Sequence, residues 1–129
     1  MGIYEIIPFI AAAGFGIYVV ALLSGREMGW RVPAALAVLF LAWSLWAVGS
    51  EGPFGFWIEH SRNAWGNQIW MDLLLSIGVA LGFLVPRAVR VGVRPGPWVM
   101  LVLLTGGIGL LAFAARVLFV SARSDVADG

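Results

Sequence analysis

The stretch Gly66-Asn67-Gln68-Ile69-Trp70-Met71-Asp72-Leu73-Leu74-Leu75-Ser76-Ile77-Gly78-Val79-Ala80-Leu81-Gly82-Phe83-Leu84-Val85 carries a single charge, Asp72. About 20 apolar residues in helical form cross the ~30 Å hydrocarbon core of a bilayer at about 1.5 Å per residue. The run does not alternate apolar with polar residues, which argues against a strand of a lipid-facing barrel. A bilayer core holds no water, so each backbone N–H and C=O must find a partner within the segment, as a helix allows. The stretch is predicted to be a transmembrane helix over 66–85.

Three further runs of this kind accompany it, over 3–23, 32–48 and 97–120. The first is interrupted only near its start, by Glu5 and Pro8; the second has no charge; the last holds Arg116. The chain is 61% hydrophobic and 12% charged. Soluble domains run at about 45–50% and about 25%, so a water-soluble fold has too little interior for this much apolar surface. Ser24-Gly25 and Pro33, Gly49 to Pro53, Pro86, and Pro95-Gly96-Pro97 punctuate the runs. The connections are short, so neighbouring helices should pack antiparallel. The expectation is an all-α, integral membrane four-helix up-down bundle over residues 1–120, with Pro86 ending the third helix. The small polar residues 121–129 read as a disordered tail.

On that scheme Arg26, Arg31, Arg87, Arg90 and Arg94 fall in the 24–31 and 86–96 loops, and Arg62, Arg116 and Arg123 on the opposite side. Basic loops stay in the cytoplasm. Both termini and the 49–65 loop are then expected outside. The first run lacks a basic leader and reads as a span, not a cleaved signal. There is no cysteine, so thiol chemistry and disulfides are excluded. One histidine, His60, excludes bis-histidine haem ligation within a chain. A net charge of +1 with dispersed arginines argues against nucleic acid as a partner.

Charges within membrane runs carry the most information, because each costs roughly 2.5–3.5 kcal/mol on insertion scales unless it is paired or wet. Four uninterrupted helices would bring Glu5, Asp72 and Arg116 to similar depth under one face, with Asp72 and Arg116 as an ion pair. Gln68, Asp72 and Ser76 recur at four-residue spacing and make one polar stripe, expected to face the bundle interior. His60 and Arg62 in the loop above complete the candidate cluster. It reads either as a structural register device or as a ligand site.

The aromatic residues Trp43, Trp46, Phe56, Trp57, Trp65 and Trp70 gather at the same end. They suit an interfacial belt around a short surface helix, or the mouth of a site for a lipid, quinone or carotenoid. Gly78 and Gly82, with Gly106 and Gly109, are expected to mark close helix contacts. No metal-ligand spacing, phosphate loop or nucleophile elbow is present.

Trp70-Met71-Asp72-Leu73-Leu74-Leu75-Ser76 forms a W-x-D-L-x-x-S pattern. It is followed by basic Arg87, Arg90 and Arg94, then Trp98, then Gly106-Gly107-Ile108-Gly109-Leu110. Over residues 65–120 this resembles a family of short bacterial integral membrane proteins known as a domain of unknown function. That family tends to carry Glu where this chain has Pro86-Arg87. The resemblance implies a four-helix fold and a bacterial inner membrane, singles out Asp72, and implies no activity. The function expected is that of a small non-enzymatic membrane protein: an accessory subunit of a membrane complex, a homo-oligomer, or a binder of an apolar ligand at the outer-leaflet end. The alternatives are a membrane-embedded enzyme on a lipid or isoprenoid, with Asp72 and Glu5 as acid–base groups, and an oligomeric transporter.

Overall fold

A computed structural model describes residues 2–129. They form six helices: α1 (Ile3–Leu23), α2 (Arg31–Glu51), α3 (Gly55–Ser61), α4 (Ala64–Arg90), α5 (Pro95–Thr105) and α6 (Gly107–Asp128). Four of them, α1, α2, α4 and α6, are long and apolar enough to cross a membrane. Local chemistry sets their starts. The Glu5 carboxylate accepts from the Gly2 N–H at 2.8 Å at the head of α1, and the Asn63 side-chain Oδ1 accepts from the Gly66 N–H at 2.8 Å at the head of α4. Both satisfy donors that the first helical turn leaves without a partner.

The last apolar run departs from expectation. The helix expected over 97–120 is two helices, broken at Gly106, whose φ of 64° and ψ of −124° suit a residue without Cβ. The chain reverses there. Trp98 on α5 stacks on Phe113 of α6, with ring centroids 5.9 Å apart and planes within 8°. A Cβ on Gly109 would lie 2.7 Å from the Leu101 carbonyl oxygen, the Val102 nitrogen and the Thr105 hydroxyl. Residues 15 apart touch, so α5 and α6 form a tight antiparallel hairpin. At 11 residues, α5 rises only about 16 Å, half of a bilayer core.

Helix α6 is the hub. Its Phe119 meets Trp30 edge-on at 5.2 Å, and its start, Gly107, lies against the Phe40 ring. It therefore runs antiparallel to the first half of α2. Phe113 and Val117 of α6 are fully buried with Ala88 of α4 and with Val93, and Leu84, Val85, Trp98 and Val120 close over them. Helix α6 and the last turns of α4 thus descend together. Helix α1 touches α2 near its start, through Tyr4 edge-on to Trp43 at 6.3 Å, and the α1–α2 connection near its end, through the Tyr18 hydroxyl donating to the Met28 sulfur at 3.2 Å. None of its residues is buried.

Two boundaries also move. Pro86 lies inside α4, which continues to Arg90. A proline within a membrane helix is tolerated where neighbouring helices and local adjustment re-satisfy the backbone it frees. Residues 121–128 continue α6 as helix, where a disordered tail was expected.

The reversal changes the topology. The end of α6 lies with the 24–30 and 91–94 connections, and the N-terminus lies at the other end, with α3. The expectation that both termini share one side does not hold, because Gly106 turns the chain back at mid-height. Since the chain has no cysteine, single-cysteine variants test this directly. With a membrane-impermeant maleimide, Ser124→Cys and Glu27→Cys should label from the same face of a sealed vesicle, and Ser61→Cys from the opposite one. Labelling of Ser124→Cys with Ser61→Cys would contradict the hairpin.

Candidate functional site

The molecule has two chemically distinct ends. At the α3 end, α3 folds down on the first turns of α4. Its backbone passes so close to Gly66 that a Cβ there would collide with the Glu59 carbonyl oxygen and lie 3.2 Å from the His60 carbonyl. The Asn67 amide donates to the His60 carbonyl at 2.7 Å. Trp70 lies under both turns of α3, 4.9 Å from the His60 ring and 6.3 Å from Phe56. Trp57, His60, Ser61, Asn67, Trp70 and Met71 line an open cleft of about 430 Å³. Its polar edge is one imidazole, one hydroxyl and one amide. The Ser61 hydroxyl is committed to the Trp57 carbonyl at 2.6 Å. Arg62 pairs with Glu59 at 3.2 Å, an exposed contact that contributes under about 1 kcal/mol.

The expected polar cluster is not assembled. Gln68, Asp72 and Ser76 do share one stripe of α4, but all three are exposed. At 100° per residue the stripe also includes Leu75, Val79 and Phe83, which are 71%, 62% and 77% exposed. The residues that pack toward α6, namely Leu81, Leu84, Val85 and Ala88, lie on the opposite face. The stripe looks away from the bundle, not into it.

Arg116 does not meet Asp72. It sits exposed between buried Ala115 and Val117, at the level of Ala88. From Asp72 to Ala88 is 16 helical residues, a rise of about 24 Å. Glu5 is held by its own helix start. Among the described residues the one ion pair is Glu59–Arg62, and no three acidic or histidine side chains converge as metal ligands. The glycines divide as well. Gly109 is a close contact and Gly106 a turn, whereas no described residue beyond the local helix backbone lies within 4 Å of a Cβ on Gly78 or Gly82. Among the aromatic residues, Trp43 meets Tyr4 and Trp70 anchors α3, while Trp46, Phe56, Trp57 and Trp65 are exposed.

The other end escaped the sequence reading. With α6 reversed, Arg26, Arg31, Arg87, Arg90, Arg94, Arg116 and Arg123 all lie toward it, against Glu27, Asp125 and Asp128. The α3 end holds Arg62 against Glu5, Glu51, Glu59 and Asp72. Arg31 stacks over Trp30 at 5.7 Å and Arg123 over Phe119 at 5.4 Å. Because Trp30 and Phe119 touch, the two guanidinium groups flank one aromatic pair. Between α1, α2, α4 and α6 a second groove of about 380 Å³ opens, with Arg87 its one charged lining residue. The signal in the sequence was the count of arginines; its sidedness depended on the turn at Gly106.

No family model matches the chain, and no curated protein or solved structure is similar to it. The reading of function therefore rests on the residues themselves.

Trp70 should be the support of α3. Trp70→Ala is expected to weaken α3 docking by about 0.5–1.5 kcal/mol beyond lost burial. Gly66→Ala should lift the same segment by steric clash. In amide exchange both variants should speed residues 55–61 while leaving the 81–90 segment unchanged. Uniform loosening of the whole chain would contradict this assignment.

Proposed function

We propose that the protein is a non-enzymatic subunit of a bacterial inner-membrane assembly, and that α4 is the helix through which it is held there. The observation that carries this is Asp72. It is an exposed carboxylate without a partner among the described residues, on the outward face of a helix apolar enough to span a bilayer. Side chains of this kind are costly against acyl chains and are found facing protein or water. Gln68 and Ser76, one turn above and below, add hydrogen-bonding groups on the same line, and Leu75 and Val79 supply apolar contact beside them. The open Gly78 and Gly82 surface lies next to this stripe and permits close backbone approach. The occupant that fits is another transmembrane helix presenting a hydrogen-bond donor at that depth, from a second copy or a different subunit. Seven arginines at one end against one at the other support placing the arginine-rich end in the cytoplasm.

The α3-end cleft favours a second reading, in which the same protein holds an apolar aromatic ligand such as a quinone or carotenoid against Trp57 and Trp70. Such a ligand would be seen in the absorption spectrum of protein purified in mild detergent.

A benzophenone maleimide attached to Leu75→Cys or Val79→Cys in native membranes tests the first reading. Irradiation should give a discrete protein adduct at both positions and none at Leu103→Cys, an exposed position on α5. Adding Asp72→Leu should reduce the adduct by roughly fivefold, the effect of losing about 1 kcal/mol of interhelical hydrogen bonding. Lipid adducts alone at all three positions would overturn it.

A further inference from the structure

The groove at the arginine-rich end carries a separate inference. It is walled by Tyr18 of α1, Leu36 of α2, Phe83 and Leu84 of α4, and Leu110 and Ala114 of α6. Its volume of about 380 Å³ falls in the range of ligand sites, roughly 300–1,000 Å³. Phe83 is 77% exposed, so the groove opens sideways, where acyl chains would lie. Arg87 is one charged group at its rim, exposed and without a carboxylate partner among the described residues. From Arg87 up to Ala80 the groove follows α4 for about 10 Å, reaching the level of Leu110 near the turn at mid-height. A cation at the boundary above a dry, laterally open slot has the shape and polarity of a seat for an amphiphile with an anionic head. Around it stand six further arginines against Glu27, Asp125 and Asp128, so the field at this end favours anions. Clusters of four to eight basic residues beside a membrane recognise anionic lipids.

We propose that this groove is a binding site for an anionic phospholipid. One acyl chain lies between Leu36, Phe83 and Leu110, and the headgroup phosphate rests on Arg87. Zwitterionic lipids are discriminated against because their headgroup brings a second cation toward the arginines. The lipid lies against Tyr18 near the end of α1 as well as against Phe83 and Leu110, and so joins that end of α1 to the α4–α6 core. The inference is independent of what covers Asp72.

The test is thermal unfolding of the purified protein in a neutral detergent, titrated with dioctanoyl phosphatidylglycerol, dioctanoyl phosphatidylcholine or glycerol phosphate. Phosphatidylglycerol should raise Tm with a saturable dependence, and the other two should not. Glycerol phosphate separates a lipid site from a phosphate site. Arg87→Gln should weaken the apparent affinity by about fivefold, the contribution of one arginine near a charged surface, and Arg87→Lys should restore most of it. Arg123→Gln, at the same end but off the groove, should weaken affinity clearly less than Arg87→Gln does. Ala114→Phe fills the tail seat and should abolish the shift while the unliganded protein still melts cooperatively. Leu110→Phe serves if the Ala114 variant does not fold. Equal stabilisation by phosphatidylcholine, equal stabilisation by glycerol phosphate, or full affinity in Arg87→Gln would each overturn the proposal.

Discussion

The reversal at Gly106 is the constraint on which the rest of the molecule depends. Its backbone angles are ones that a side chain would oppose, and the hairpin behind it closes over Gly109, which has no room for a Cβ. Those two positions convert one long apolar run into a short helix and its return. The return sets the register of α6 against α2, through Trp30 and Phe40, and against α4, through Ala88. That register in turn decides which end receives Arg116 and Arg123. A straight helix would have carried them to the α3 end, together with Asp125 and Asp128, and divided the arginines five to three. The folded-back helix produces a molecule with nearly all its arginines at one end.

The same reversal explains why the polar stripe of α4 has no partner among the described residues. The α5–α6 hairpin turns at the level of Phe40 and supplies no helix to the half of the molecule nearer α3. There α2 and α4 run on without a shared neighbour, and Trp46, Leu74 and Leu75 stay exposed. The compact core is confined to the other half, around Phe113 and Val117. Asp72 therefore lies on the half that its own chain leaves uncovered.

Much of the helical content was legible in the sequence, because in a bilayer a run of about 20 apolar residues has few other ways to satisfy its backbone. The spans at 3–23, 32–48 and 66–85 appear within a few residues of their expected bounds. Length and hydropathy cannot see a turn inside a run, and Thr105-Gly106-Gly107 is apolar enough to pass unnoticed. The glycines there were read as a packing face, the usual role of small residues in membrane helices, when one of them was a reversal. The depth estimates for Arg116 and the side assigned to Arg123 inherited that error. Pro86 marks no helix end for a different reason: proline inside a membrane-spanning helix is tolerated because neighbouring groups re-satisfy the backbone it frees, and α4 runs on to Arg90. The stripe Gln68–Asp72–Ser76 was found because helical periodicity is independent of tertiary context. Which way it faced depended on where α6 packed, and that was not written in α4.

The position of α1 follows from the same physics. In water, an apolar helix with no buried residue would be driven onto the core by its hydrophobic surface. In lipid that force is absent, since acyl chains solvate leucine as well as another helix does, and only specific contacts hold helices together. Helix α1 has one such contact near each end, Tyr4 on Trp43 and Tyr18 on Met28, with alanines and glycines between them. Its place is therefore fixed near its ends and open in its middle, where a lipid chain or a partner helix can enter without breaking any interaction the chain makes with itself. A protein assembled in this way has a compact core in one half and two surfaces, the α1 groove and the α4 stripe, whose polar groups Arg87 and Asp72 have opposite charge and lie at opposite ends.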